Sequence, residues 1–329
     1  MTRLAIIGAG AWGTALAVAA RRAGSDATLW ARDPAVTAAV RERRENPAYL
    51  PGVALDPVIG ATSDPADAVV GADAALLVVP AQFLRAVLAL FALRLPAGFP
   101  LLLCAKGIET GSLKTMTEVA AELCPGNPVA VLSGPSFAAE VARGLPTAIT
   151  VASRDARVAR LFVEALGSTR FRPYLSEDPI GAEIGGAVKN VLAIACGILD
   201  GLCLGDNARA ALITRGLAEM TRLGIAKGAR AETFAGLSGL GDLVLTCGGA
   251  QSRNHALGVS LGRGQSLGDA LAGRRAVVEG VASAASVAAL AKGLAVEMPI
   301  VAAVDAVLHH GMAIAEMIEG LLARPRRAE

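Results

Sequence analysis

The sequence predicts a mostly parallel α/β domain followed by an all-α domain. Three observations carry that prediction. A Gly-rich turn sits between a short apolar strand and an Ala-rich helix near residue 8. Short apolar runs then alternate with helix-like segments as far as Tyr174, the pattern of a parallel sheet covered on both faces. Beyond that point helical periodicity continues without a convincing strand. A length of 329 residues suits two domains at roughly 150 residues each, and the change of pattern divides them into 1–178 and 179–329.

In chain order, RLAII reads as the first strand, and the Ala-rich stretch after the turn reads as a helix ending at Gly24. DATLWAR is the second strand. ADAALLVVP (72–80) is a buried strand stopped by Pro80, followed by PLLLCAKG (100–107) and NPVAVLSGPSF (127–137). TAITVAS (147–153) and FRPYL (171–175) close the first domain. Asp178-Pro179 reads as an N-cap and a first-turn proline. Helices are expected over about 179–203, 207–226, 231–236, 252–262, 266–273, 280–293 and 299–308, with one more before Pro325. The tail RPRRAE is expected to lack fixed structure, and the charge run from Arg41 to Glu45 is a solvated helix face.

Thirty-one Lys and Arg against 29 Asp and Glu leave a net charge of +2, too balanced for a nucleic-acid or membrane-surface protein. With 53% apolar but 3% aromatic residues, the core must be Ala, Val and Leu in closely packed helices. The longest uncharged runs, such as 280–291, fall short of the roughly 18–20 residues a membrane span needs, so no insertion is expected. Met1-Thr2-Arg3 leads straight into a strand, leaving no room for a signal peptide. Cysteines at 104, 124, 196, 203 and 247 form no close pair in sequence, which suits reduced thiols and a cytoplasmic location. Three histidines, two of them adjacent, make no metal centre.

Gly8-Ala9-Gly10-Ala11-Trp12-Gly13 fits G-x-G-x-x-G in the context that gives it meaning, strand before and helix after. The first glycine allows the tight turn, the second lets a pyrophosphate approach the backbone, and the third lets helix and strand pack. The helix start offers N–H groups to the anion, so a Rossmann-type dinucleotide site is expected, against a bare Gly-rich turn with no ligand. Arg32, at the end of the second strand, suits the 2′-phosphate of NADP(H); the alternative is an ordinary exposed arginine, with Asp33 taking a ribose hydroxyl. Pro80, Lys106 and the run Ser133-Gly134-Pro135-Ser136 each follow a strand, which places them on the rim where ligands bind in open parallel sheets. Lys106 is there either as a ligand or as a solvated loop residue.

In GGAVKNVLAIACG (185–197), Lys189 and Asn190 interrupt an otherwise apolar helix. Either the lysine snorkels to solvent or it enters a cleft, where desolvation lowers a lysine pKa and suits it to proton transfer. Asn190, Asp242 and the cluster Gln251-Ser252-Arg253-Asn254 are the polar company available to it. Arg253 and Asn254, at a helix start, suit a phosphate; alternatively Ser252 simply caps that helix and Arg253 is solvated. Asp242 could equally be a turn residue after Gly241.

At these residues the sequence resembles the bacterial-type NAD(P)-dependent glycerol-3-phosphate dehydrogenases. The similarity runs through GAGAWGTALA, LWARD, NPAYLPG, AKGIE, SGPSFAAEV, LPTAI, GGAVKNVLAI, NARAALITRGLAEM, GLGDLVLTC, QSRN, VVEG and EMPI, and fades only in the last 15 or so residues. GAVKN, GLGDLVLTC and SRN together are its most specific motifs. The resemblance implies reversible reduction of dihydroxyacetone phosphate to sn-glycerol 3-phosphate with NADPH or NADH, supplying glycerophospholipid synthesis. It also implies a helical domain like that of 6-phosphogluconate dehydrogenase, and a homodimer.

Carried over position by position, Lys189 resembles the proton donor and acceptor and Lys106 a second substrate-binding lysine, and Asp242 resembles a further substrate-site residue; physically, Asp242 and Asn190 would orient the ammonium. Gly134, Ser136, Ser252, Arg253 and Asn254 resemble the remaining substrate contacts. Gly8, Gly10, Ala11, Trp12, Gly13, Arg32, Tyr49, Lys106, Ala138, Arg253, Val277 and Glu279 look like cofactor contacts. Rival expectations are a β-hydroxyacid or 6-phosphogluconate dehydrogenase, which SGPSF and QSRN disfavour, and a non-catalytic NADPH-binding regulator, which the joint presence of Lys106, Lys189 and Asp242 disfavours.

Overall fold

The computed structural model describes residues 1–273 and 276–325; most of the tail for which no fixed structure was expected, residues 326–329, lies outside them. The chain forms two compact units, Met1–Lys106 with Lys114–Glu183, and Gly107–Leu113 with the residues from Ile184 onward.

In the first unit the strands are β1 (Arg3–Ile7), β2 (Asp26–Trp30), β3 (Gly60–Thr62), β4 (Ala74–Leu77), β5 (Leu101–Leu103), β6 (Val129–Ser133), β7 (Thr147–Ala152) and β8 (Phe171–Ser176). They build one sheet in the order β3-β2-β1-β4-β5-β6-β7-β8. Every neighbouring pair is parallel except β6 with β7. Helices α1 (Ala11–Arg22), α2 (Pro34–Arg43), α3 (Pro65–Val69), α4 (Leu84–Ala92), α5 (Met116–Leu123), α6 (Ala138–Arg143) and α7 (Ala156–Leu166) accompany it.

Alternation along β1 sorts side chains between two cores, as strand geometry requires. Leu4 and Ile6 join a cluster with Leu16 and Phe162, while Ala5 and Ile7 join another with Leu77 and Phe91. Burial on both faces is why these strands read as continuous apolar runs rather than alternating ones. Two features differ from expectation. Strand β3 has only three residues and no apolar run, and it exists because Thr28–Trp30 of β2 offers it a free ladder. The antiparallel entry of β7 is a matter of chain path, which no local pattern encodes.

The second unit is helical: α8 (Pro179–Gly201, begun in the first unit), α9 (Asp206–Lys227), α10 (Ala231–Ala235), α11 (Asp242–Gly248), α12 (Arg253–Gly262), α13 (Leu267–Leu271), α14 (Glu279–Gly293), α15 (Pro299–His309) and α16 (Ile314–Leu322). A π-helical turn, Leu237–Gly241, runs directly into α11. Neither was expected, since glycines at 236, 239 and 241 argue against helix. Close local packing of the turn overrides that propensity: a Cβ on Gly239 would lie 2.1 Å from the Phe234 carbonyl oxygen, so only glycine fits the contact.

Helix α8 shows where counting uncharged runs falls short. Its 23 residues are long and apolar enough to cross a bilayer by length and composition, and 94% of its apolar window is buried within the chain. A search for uncharged runs misses it because Glu183 and Lys189 interrupt the sequence. Helices α8 and α12 meet backbone to backbone. A Cβ on Gly197 would fall 2.1 Å from the His255 carbonyl oxygen, and one on Gly258 would fall 2.1 Å from that of Ile194.

Two buried carboxyls hold helix starts. Glu183 accepts from the Thr117 backbone N–H at 2.7 Å, and Glu219 accepts from those of Ile300 and Val301 at 2.8 and 3.2 Å. Burial pushes both up to about 7, against those hydrogen bonds. A carboxyl whose folded pKa exceeds its unfolded value binds more proton when folded, so its contribution declines as pH rises from about 4.5 to about 7. The melting temperature of the native chain relative to Glu219→Gln should therefore fall between pH 5 and pH 8. A pH-independent difference in paired calorimetric scans would refute this.

Candidate active site

In the first unit, parallel pairing of β1, β4, β5 and β6 brings the ends of those strands to one rim. The Gly-rich turn leaves β1 there. Gly8 has φ +118°, and a Cβ on it would lie 2.4 Å from the Val78 carbonyl oxygen. A Cβ on Gly13 would sit 1.9 Å from the Gly8 carbonyl oxygen, whereas one on Gly10 would meet nothing within 4 Å. The three glycines thus divide as the motif requires, two for closure and one for approach.

Helix α1 begins with Gly10 at its N-cap, without a side-chain cap or an acidic residue in its first turn. Its positive end is therefore available to an external anion. The Trp12 indole N–H is buried without a hydrogen-bond partner among the described residues. These features fit a dinucleotide.

Farther along the rim, the Lys106 ammonium donates to the Gly134 carbonyl at 3.0 Å, and the Ser136 hydroxyl donates to the same oxygen at 3.0 Å. Three expected substrate residues converge on one atom. Gly134 is held at φ +137°, where its missing Cβ would touch Ile149 at 3.3 Å. Ala138 opens α6. After β2, Asp33 is the N-cap of α2 and its carboxylate accepts from the Ala35 N–H at 2.9 Å. Arg32 is exposed beside it, and Tyr49 is half-exposed.

In the second unit, Lys189 is buried, which settles the choice between snorkelling and enclosure. Its ammonium donates to Asp242 Oδ1 at 2.6 Å and to Thr246 Oγ1 at 2.9 Å. The Thr246 hydroxyl in turn donates to the Asp242 carbonyl at 2.6 Å. Asp242 is no turn residue: it starts α11 and is 1% exposed. Thr246 escaped the sequence reading because 242–248 was not read as helical. The i, i+4 spacing of Asp242 and Thr246 would have placed both on one face.

Asn190 pairs with Asn254 instead, whose Nδ2 donates to Asn190 Oδ1 at 2.9 Å, while Asn254 Oδ1 accepts from the Gly280 N–H at 2.9 Å. The glycine-mediated approach of α8 and α12 makes that contact possible. Ser252 is the cap of α12, accepting from the His255 N–H at 3.2 Å. Arg253 donates to the Val277 carbonyl at 2.7 Å. Its side chain is exposed, as the solvated alternative had it; partial desolvation by neighbouring groups still lowers its pKa below the usual guanidinium range, and the nearby Glu279 carboxylate opposes that. Arg253, Val277 and Glu279 are thus neighbours, though only the resemblance had singled out the last two.

Thiol chemistry finds no support here. The Cys247 thiol is pushed well above its ordinary range by a hydrogen bond to Cys196 and by burial, which suppresses the reactive thiolate. Among the described residues no His, Cys, Asp and Glu cluster could hold a metal ion.

Two family models match the chain: NAD-dependent glycerol-3-phosphate dehydrogenase N-terminus over residues 3–159, and its C-terminus over 178–319. The glycerol-3-phosphate dehydrogenase (NAD(P)+) of Rhodospirillum rubrum is 57% identical over 326 residues, covering 99% of this chain and 93% of that protein. That of Caulobacter vibrioides is 57% identical over 327 residues, covering 99% and 98%. The crystal structure of glycerol-3-phosphate dehydrogenase from Coxiella burnetii, 40% identical, matches with a TM-score of 0.95 over 98% of this chain and 99% of that one.

Proposed function

The chain belongs to the NAD-dependent glycerol-3-phosphate dehydrogenase family, and from that premise we propose how its residues reduce dihydroxyacetone phosphate reversibly to sn-glycerol 3-phosphate. Either NADH or NADPH serves. The observation that carries the reading is the buried Lys189 ammonium, held 2.6 Å from Asp242 and 2.9 Å from Thr246.

When bound, the nicotinamide supplies the hydride. The substrate carbonyl oxygen then gains negative charge, and a proton donor beside it lowers the barrier. Lys189 gives that proton, and takes it back in the reverse direction. Asp242 and Thr246 aim the ammonium through their hydrogen bonds to it. Asn190, oriented by Asn254, supplies a polar contact beside it. Arg253 and Asn254, at the start of α12, hold the phosphate so that the carbonyl is well placed for reaction. Lys106 adds a second positive field, and its shared anchor on the Gly134 carbonyl keeps it close to Ser136. In this division of labour residues 1–178 hold the cofactor and 179–329 carry the proton donor. Oxidation of NADPH on adding dihydroxyacetone phosphate, with β-hydroxyacids and 6-phosphogluconate tested alongside for oxidation by NADP+, tests the assignment; turnover only with the carboxylates would overturn it.

Asp33 is committed to capping α2, which supports Arg32 as the reader of the adenosine ribose and its 2′-phosphate. Arg32→Ser should raise the KM for NADPH about tenfold and leave that for NADH within twofold. Equal effects on both cofactors in one kinetic assay would remove Arg32 from that role.

The same reading extends to a cytoplasmic enzyme that feeds glycerophospholipid synthesis and works as a homodimer. Unpaired cysteines support the compartment. Exposed Leu202, Leu204, Ile225, Leu240 and Val244 on the second unit give a dimer apolar surface to cover. Sedimentation equilibrium returning only the monomer mass would refute the dimer.

A further inference from the structure

Asn46 opens the NPAYLPG motif but has no site role assigned above, yet it is fully buried and reaches directly into the Gly-rich turn. Its Nδ2 donates to the Ala9 carbonyl at 2.9 Å and to the Thr14 hydroxyl at 2.8 Å. The Thr14 hydroxyl donates onward to the Gly10 carbonyl at 2.9 Å. Chemistry fixes the direction of this chain. A carbonyl oxygen can only accept, so the carboxamide nitrogen must face Ala9, and the hydroxyl that receives its second proton must spend its own on Gly10.

We propose that Asn46 is a positioning residue for the dinucleotide, acting by turning successive peptide planes of the Gly-rich turn. In a planar trans peptide the C=O and the following N–H point in opposite directions. Holding the Ala9 carbonyl on the Asn46 side therefore aims the Gly10 N–H away from it. Holding the Gly10 carbonyl through Thr14 does the same for the Ala11 N–H. A residue at 10 has open space around its Cβ position, and N–H groups preset toward a pyrophosphate bind it without first being reoriented. Back-bonding by Thr14 alone is a common helix feature. What sets this turn apart is the second clamp, from a side chain 32 residues farther along the chain.

Asn46 Oδ1, by contrast, is buried with no hydrogen-bond partner among the described residues. Such an orphan acceptor weakens the residue as a device for stability alone. The backbone carbonyl of Asn46 accepts from the N–H groups of Tyr49 and Leu50 at 3.3 and 2.8 Å, so the same residue organises the short turn that carries Tyr49.

The inference rests on the reading that the Gly-rich turn holds NAD(P)H, and the test separates the two. NADPH and NADH dissociation constants are measured by nicotinamide fluorescence for the full-length native chain, Asn46→Ala and Thr14→Val, with melting temperature and steady-state kinetics alongside. Asn46→Ala should weaken both cofactors by the same factor, about tenfold. Its kcat at saturating cofactor and its KM for dihydroxyacetone phosphate should stay within twofold. Thr14→Val, close in shape, should weaken both cofactors several-fold and serves if Asn46→Ala does not fold. Cofactor affinity unchanged in a folded variant, or lost in step with substrate KM and kcat, would overturn the proposal. Failure of the native chain to bind either cofactor would instead overturn the reading beneath it.

Discussion

Lys189→Met should lower turnover by on the order of a thousandfold or more while NADPH affinity stays within twofold. General acid catalysis contributes about 10²- to 10⁴-fold in enzymes generally, and here its loss also removes a positive charge from beside the reacting oxygen. The variant has a second effect that must be kept apart from the first. Asp242 is 1% exposed and would lose its cation. Leaving one member of a buried ion pair alone costs about 3–5 kcal/mol of stability. Lys189→Met combined with Asp242→Asn removes both charges, so its melting temperature should recover toward the native value while turnover stays low. Recovery of turnover together with stability would show that Lys189 holds the fold rather than moves the proton. Turnover within tenfold of the native value in the single variant would assign the donor elsewhere.

Gly10→Ala and Gly13→Ala should fail in different ways. A Cβ at 13 would lie 1.9 Å from the Gly8 carbonyl oxygen, and neither atom belongs to a flexible side chain. Either α1 must move off β1 or the turn must open. Overpacking of this kind typically costs about 1–3 kcal/mol, occasionally more, so Gly13→Ala should melt several degrees lower and bind neither cofactor. A Cβ at 10 meets nothing within 4 Å, so Gly10→Ala should melt like the native chain. It should still bind NADH and NADPH at least tenfold more weakly, because the added methyl occupies the face the pyrophosphate approaches. Native affinity in Gly10→Ala would show that the anion lies elsewhere.

Some of the site was legible before any fold was known, and the reason differs from residue to residue. Gly8, Gly10 and Gly13 could be read because a tight turn, a ligand approach and a helix contact each act within six residues of chain. Lys106 and Ser136 could be read because both follow apolar runs that had to be strands. Lys189 was conspicuous, but its fate was open, since a lone lysine on an apolar helix usually reaches solvent. Its partner Asp242 lies 53 residues away on a helix that begins among glycines. Only packing of α11 against its neighbours turns Asp242 and Thr246 toward the amine. Ser252 illustrates the converse, because the ordinary capping role weighed for it is the one it performs.

Local chemistry in the chain was enough to specify a Gly-rich turn for a dinucleotide, a sheet covered by helices and a helical second half; it made Lys189 conspicuous but left its role to the resemblance. Those features depend on neighbours a few residues apart, through periodicity, glycine placement and proline. Tertiary structure alone decided the pairing of Lys189 with Asp242 and Thr246, the link from Asn190 to Asn254, the edge strand β3, the reversed β7 and the grip of Asn46 on the turn. Each of these joins segments well separated along the chain. Their distances and directions arise from how helices and strands pack, so they become definite only when the fold does.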